Sequence, residues 1–183
     1  MKVAATPIAG LSVVSNSRLA DSRGSFARLF CREALAALVG DRVIQQINHS
    51  CTVEQGALRG MHFQHAPAAE MKLVRCVKGS VYDVAVDLRP GSDTFMHWHG
   101  IELSAENEDM FVIPEGFAHG FQALEPDCEL LYLHTAAYAP EYEGGVRYDD
   151  PAFGIDWPLA ITEISARDQS HALIDETFAG ISL

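Results

Sequence analysis

The chain has 183 residues, 48% of them apolar and 21% charged, which suits one domain with a real core and excludes a disordered chain. Its 13 lysines and arginines stand against 25 aspartates and glutamates, a formal charge of −12 that repels nucleic-acid phosphates, and no basic stripe offsets it. No apolar run is long enough to span a bilayer, the N-terminus lacks a signal-type core, and the four cysteines form no C-x-x-C pair, so the expectation is a mature, cytoplasmic chain with free thiols and no thiolate zinc site.

In chain order, an N-terminal arm leads to the best helical stretch, "SFARLFCREALAALVG" at 25–40, whose second half has good helix formers and stops at Gly40. From residue 43 the pattern changes to short strands: "RVIQQINHSCTV", "GALRGMHFQ", "MKLVRCVKG", "SVYDVAVDLRPG", "TFMHWHGIELS", "DMFVIPEGFAHGFQAL" and "CELLYLHTAAY". Turn residues such as Lys78-Gly79-Ser80, Pro90-Gly91-Ser92 and Glu125-Pro126-Asp127 separate them. Strands at this spacing without intervening helices predict an all-β antiparallel sandwich or barrel. After Tyr138 the sequence reads as loop and then as a modest helical tail, "LAITEISARDQSHALIDETF". One domain over 1–183 is expected.

Several of these strands carry polar residues among apolar ones. In "SVYDVAVDL", Tyr82, Val84, Val86 and Leu88 point one way and Asp83, Ala85 and Asp87 the other. Either a wet sheet face or a partly polar barrel lumen accounts for that. His62 in a strand, Lys72 a strand later, His119 after a Pro-x-Gly turn and Tyr132 in a further strand form a chemically coherent set. Together they can remove a proton beside a carbonyl, stabilise the enolate and return a proton from another direction. A carboxylate behind the histidine would fix its tautomer. That chemistry requires no metal and no redox cofactor.

The motifs "DSRGSF", "LRGMHFQ", "KLVRCVKGSVYDVAVDLRPGS", "ELSAEN", "IPEGFAHGF" and "YAPEYEGGVRYDDPAFGIDWP", in this order from about residue 7 to about residue 170, resemble the dTDP-4-dehydrorhamnose 3,5-epimerase family. The resemblance implies a cupin-type jelly-roll barrel with short flanking helices, a homodimer, and epimerisation of a nucleoside-diphosphate 4-keto-6-deoxy sugar at carbons 3 and 5. It implies His62 as the base, Asp168 of "SARDQS" as its carboxylate partner, Lys72 as the enolate stabiliser and Tyr132 as the acid on the opposite face. Substrate-binding positions fall on Arg23, Gln46, Asn48, Arg59, His119 and Tyr138. Arg59 and His62 have opposite strand parity, so both face one pocket only if the chain is irregular near Gly60. Position 28 is arginine where many members carry glutamate near the base, which leaves the nucleotide open.

Three other readings compete. "GSDTFMHWH" and "PEGFAH" contain fragments of metal-cupin motifs, but Leu103 and Ser104 occupy the places of the expected glutamate, and His97 and His99 read as surface residues. A single-carbon epimerase or a 3,4-ketoisomerase would use the same residues differently placed. A non-catalytic sugar-binding module on the same fold would have no use for the His, Lys and Tyr set.

Overall fold

The computed structural model describes residues 1–183 and contains two antiparallel sheets facing one another. The strands are β1 (Lys2–Ala5), β2 (Ser12–Ser15), β3 (Leu19–Asp21), β4 (Gly24–Phe26), β5 (Gln46–Thr52), β6 (Leu58–Gln64), β7 (Lys72–Lys78), β8 (Ser80–Asp87), β9 (Trp98–Ser104), β10 (Met110–Ile113), β11 (Phe117–Ala123), β12 (Cys128–His134) and β13 (Glu143–Gly145). One sheet runs β1-β2-β10-β7-β12-β5 and the other β13-β6-β11-β8-β9, while β3 and β4 form a separate hairpin. This is the cupin-like jelly roll, and each predicted strand segment contains at least one of these strands.

Alternation explains the core. Between the sheets, Val74, Phe111, Phe121, Leu130, Ala85 and Leu103 are buried together. The outer face of the five-stranded sheet is not wet. Val84 and Val86 of β8, and Leu88 just after it, pack beneath the C-terminal segment through Phe153, Trp157, Phe178 and Ile181. The inner face is the one with polar groups: Asp83 and Asp87 are completely buried. The six-stranded sheet is covered in the same way by Leu35 and Val39.

Both predicted helices are much shorter than expected. In the first, only Ala36–Val39 (α1) is helical, because no side chain caps its start and Gly40, at φ +59°, turns the chain away. Tertiary packing through Leu35 and Val39 sets its length, not propensity. In the tail only Ala166–Ser170 (α2) is helical, started by Ser165, whose side chain accepts the Asp168 amide hydrogen bond. The N-terminal arm proves to hold four strands, and "YEGGV" contributes β13 as an edge strand beside β6.

Candidate active site

The two sheets open at one end into a cavity of 970 Å³. Strands β5, β6, β7, β11 and β12 line it, and the segment around α2 closes one side. His62, Lys72, Tyr132 and Asp168 all border it, as do Gln46, Asn48, Arg59, His119 and Tyr138. Arg23 does not. It sits on the turn of the β3–β4 hairpin, its side chain 88% exposed and paired only with Asp21, so the chain does not bring it to its own cavity.

The parity conflict between Arg59 and His62 is resolved at Gly60. His62 pairs with His119, but Arg59 pairs with Phe121, so three steps along β6 match two along β11 and the register shifts between them. This extra residue returns both side chains to the cavity face. Gly60 has φ +129°, and a Cβ there would meet Gly120 Cα at 2.5 Å and the His119 carbonyl at 2.8 Å. Only a glycine permits so close an approach.

His62 Nε2 lies 2.8 Å from Asp168 Oδ1, and Asp168 Oδ2 accepts the Gly60 amide at 3.1 Å. Burial works to raise the Asp168 pKa, but the bonds from His62 and Gly60 outweigh it and hold the carboxyl below its usual range. Across the cavity Tyr132 shares a 2.9 Å hydrogen bond with Ser50 Oγ. Burial raises the phenol well above its ordinary value, so it stays protonated and can serve as an acid. His119 Nε2 meets Asp83 Oδ1 at 2.8 Å, while Asp83 Oδ2 is buried with no partner and burial pushes that carboxyl up. The Lys72 ammonium donates to the His62 carbonyl at 3.2 Å and lies 3.5 Å from Glu70 Oε1.

At the rim, the Tyr138 hydroxyl donates to Glu143 Oε2 at 2.8 Å, and Arg167 pairs with Glu143 Oε1 at 2.7 Å. The Tyr138 amide donates to Gln46 Oε1, which fixes the loop to the edge strand. Arg59 is held at Nε by Thr52 Oγ1 at 3.1 Å, an arrangement that leaves its guanidinium at the mouth.

Sequence reading left Glu70, His134, Ser50, Glu143, Arg167 and His171 without roles. Glu70 shares strand parity with Lys72, and His134 with Tyr132; that common face was the available signal. His171 stands edge-on to His62, with ring centroids 6.4 Å apart, and burial together with His62 lowers its pKa. The ligating atoms of His62, Asp168 and His171 lie within 4.8 Å of one another and are the group able to hold a cation. The metal-cupin histidines do not gather in this way. His97 is exposed, whereas His99, expected at the surface, faces inward beside Ala85 and packs edge-on against Phe111.

A jelly roll with a histidine–carboxylate pair, an ammonium and a neutral phenol turned into one cavity is the architecture of a cupin-like isomerase. The model of the dTDP-4-dehydrorhamnose 3,5-epimerase family matches residues 5–176, and the chain belongs to that family. It is 42% identical over 178 residues to the dTDP-4-dehydrorhamnose 3,5-epimerase of Salmonella typhimurium, covering 96% of this chain and 97% of the relative. Among solved structures, the dTDP-6-deoxy-D-glucose-3,5-epimerase of Legionella pneumophila in complex with dTDP-4-keto-L-rhamnose superposes with a TM-score of 0.91 at 37% identity, covering 100% of this chain and 98% of that one. A 3'-monoepimerase from Streptomyces bikiniensis in complex with dTDP-quinovose gives 0.86 at 33% identity, covering 92% and 85%.

Proposed function

We propose that this protein epimerises a nucleoside-diphosphate 4-keto-6-deoxy sugar at carbons 3 and 5, in deoxysugar supply within the cytoplasm. The observation that carries the reading is the His62–Asp168 pair facing the same cavity as Lys72 and Tyr132. His62 takes the proton from the carbon beside the keto group, and the C–H electron pair moves into the enolate. The Lys72 ammonium stabilises the charge developing on the keto oxygen. Tyr132 donates its hydroxyl proton to the opposite face of the same carbon, inverting it, and is reprotonated from solvent. Asp168 orients the imidazole and stabilises its charged form.

Arg59, Gln46 and Asn48 form the nucleotide side of the cavity in this reading, with His119 and Tyr138 against the sugar. Arg23 joins them only in an assembly. Leu19 and Phe26 on its hairpin are 70% and 66% exposed, and Ile47 and Val53 at the β5 edge 62% and 65%, an apolar surface suited to a second copy. We therefore propose a homodimer, with the hairpin against the other copy.

The similarity to a 3'-monoepimerase favours a second reading, exchange at carbon 3 alone. Proton NMR of dTDP-4-keto-6-deoxyglucose incubated with the protein in deuterium oxide separates the two. Deuterium at carbons 3 and 5 is expected; deuterium at one carbon establishes the single epimerase. No exchange with the thymidine, guanosine or cytidine sugar nucleotide overturns the epimerase reading.

A further inference from the structure

Lys72 belongs to a buried chain of polar groups in which Glu70 and His134 have no part in the reaction above. Glu70, two residues earlier and on the same side of the chain, lies with one oxygen 3.5 Å from the Lys72 ammonium and the other 2.7 Å from His134 Nδ1. The side chains of Glu70, Lys72 and His134 are only 7%, 11% and 11% exposed. The β7–β12 register sets His134 directly opposite Lys72. On its far side, His134 Nε2 faces Asn48 Nδ2 at 3.4 Å.

Donor counting fixes the tautomer. Asn48 Nδ2 can only donate, so a neutral His134 accepts at Nε2 and carries its proton on Nδ1, aimed at Glu70. The Lys72 ammonium has three N–H groups. One goes to the His62 carbonyl and one faces Glu70, which leaves one for the cavity.

We infer that Glu70 and His134 are positioning residues for the epimerisation: Glu70, oriented by the His134 Nδ1–H, holds the Lys72 ammonium so that its one uncommitted N–H points to where the substrate's keto oxygen lies. The inference rests on the function proposed above. Neither residue touches substrate; both act through Lys72. Asn48 ties the far end of the chain to the nucleotide side, so substrate recognition and enolate stabilisation share one line of polar contacts.

The test is steady-state kinetics on Glu70→Gln, with thermal melting as a fold check. Gln keeps the shape and removes the charge. The expected result is a kcat lower by about tenfold or more with KM within about twofold, the mark of a group acting in the transition state.

Wild-type kcat in folded Glu70→Gln overturns the inference. If that variant does not fold, a pair at His134 decides. His134→Ala should lose kcat about threefold or more, and His134→Asn, whose amide replaces the Nδ1 donor, should recover most of it. His134→Ala with wild-type kcat, or a loss that His134→Asn leaves unrepaired, overturns it as well. An active wild type with indifferent variants sinks this inference alone, whereas a wild type that exchanges no 4-keto sugar nucleotide sinks the epimerase reading and this inference with it.

Discussion

Asp168 and His62 are 106 residues apart in the chain and 2.8 Å apart in space, and the same carboxylate also holds the amide of Gly60. One side chain from the tail thus orients both the imidazole and the bulge that presents it. Asp168→Asn keeps the shape and removes the charge that supports an imidazolium. A fall in kcat on the order of 10² to 10⁴ is expected, with KM little changed. Deuterium wash-in at the substrate carbons should slow in parallel; wash-in at the wild-type rate would mean that the base works without its carboxylate.

Tyr132→Phe removes the acid while leaving the base untouched. Proton loss to His62 should continue, so deuterium enters the recovered substrate, while epimerised product falls by about 10²-fold. Ser50→Ala, which removes the hydroxyl partner 2.9 Å away, should cost only severalfold. Full product formation by Tyr132→Phe at the wild-type rate would dismiss the phenol as the acid.

Acid stability has an identifiable source in Asp87. Burial works to raise its pKa, but Arg89, Ser92 and Thr94 donate to it and bring it down to about 2 from 3.8. A carboxyl whose folded pKa is depressed stabilises the fold fully above its unfolded value, and that contribution is lost as pH falls through the folded one. Stability should therefore decline between about pH 4 and pH 2, with Asp87 accounting for about 2 kcal/mol. Urea melts of wild type and Asp87→Asn at pH 7 and pH 3 check this. The variant should start lower at pH 7 and lose less on acidification.

Gly60→Ala and Gly91→Ala make a matched pair. Both positions have positive φ, but a Cβ at Gly91 meets nothing within 4 Å whereas at Gly60 it strikes the backbone of β11. Gly91→Ala should cost about 1 kcal/mol from backbone conformation alone. Gly60→Ala should cost about 3 kcal/mol or more and displace His62 with it. Equal melting temperatures for the two would contradict the close approach.

The strands were legible because Gly, Pro and Asp turns cut the sequence into short apolar runs, and the cavity side chains because their chemistry cohered within a recognisable set of motifs. What stayed hidden depended on cross-chain register. Glu70 and His134 are 64 residues apart and meet only because β7 lies against β12 with Lys72 opposite His134. Every residue of β1, β3 and β4 is exposed, so these strands show no buried alternation to read. The sequence "CREALAALVG" promised a longer helix because its composition reports propensity, while packing through Leu35 and Val39 alone decides how much of it forms. Arg23 shows a different limit: a motif assigns it to substrate, yet its own chain leaves it on an exposed hairpin.

Between the packed Trp157 and Ile174, the stretch of tail that carries Asp168 reaches the barrel through few backbone links. Leu58 donates to Glu163, Thr162 to Gly56, and a single parallel bridge joins Leu58 to Ile164. Such a segment can open locally at far lower free energy than the paired strands beneath it. On warming, Asp168 would leave His62 while both sheets were still intact. The temperature at which turnover stops should then fall below the temperature at which the barrel melts, and cooling should restore activity without any refolding of the sheets.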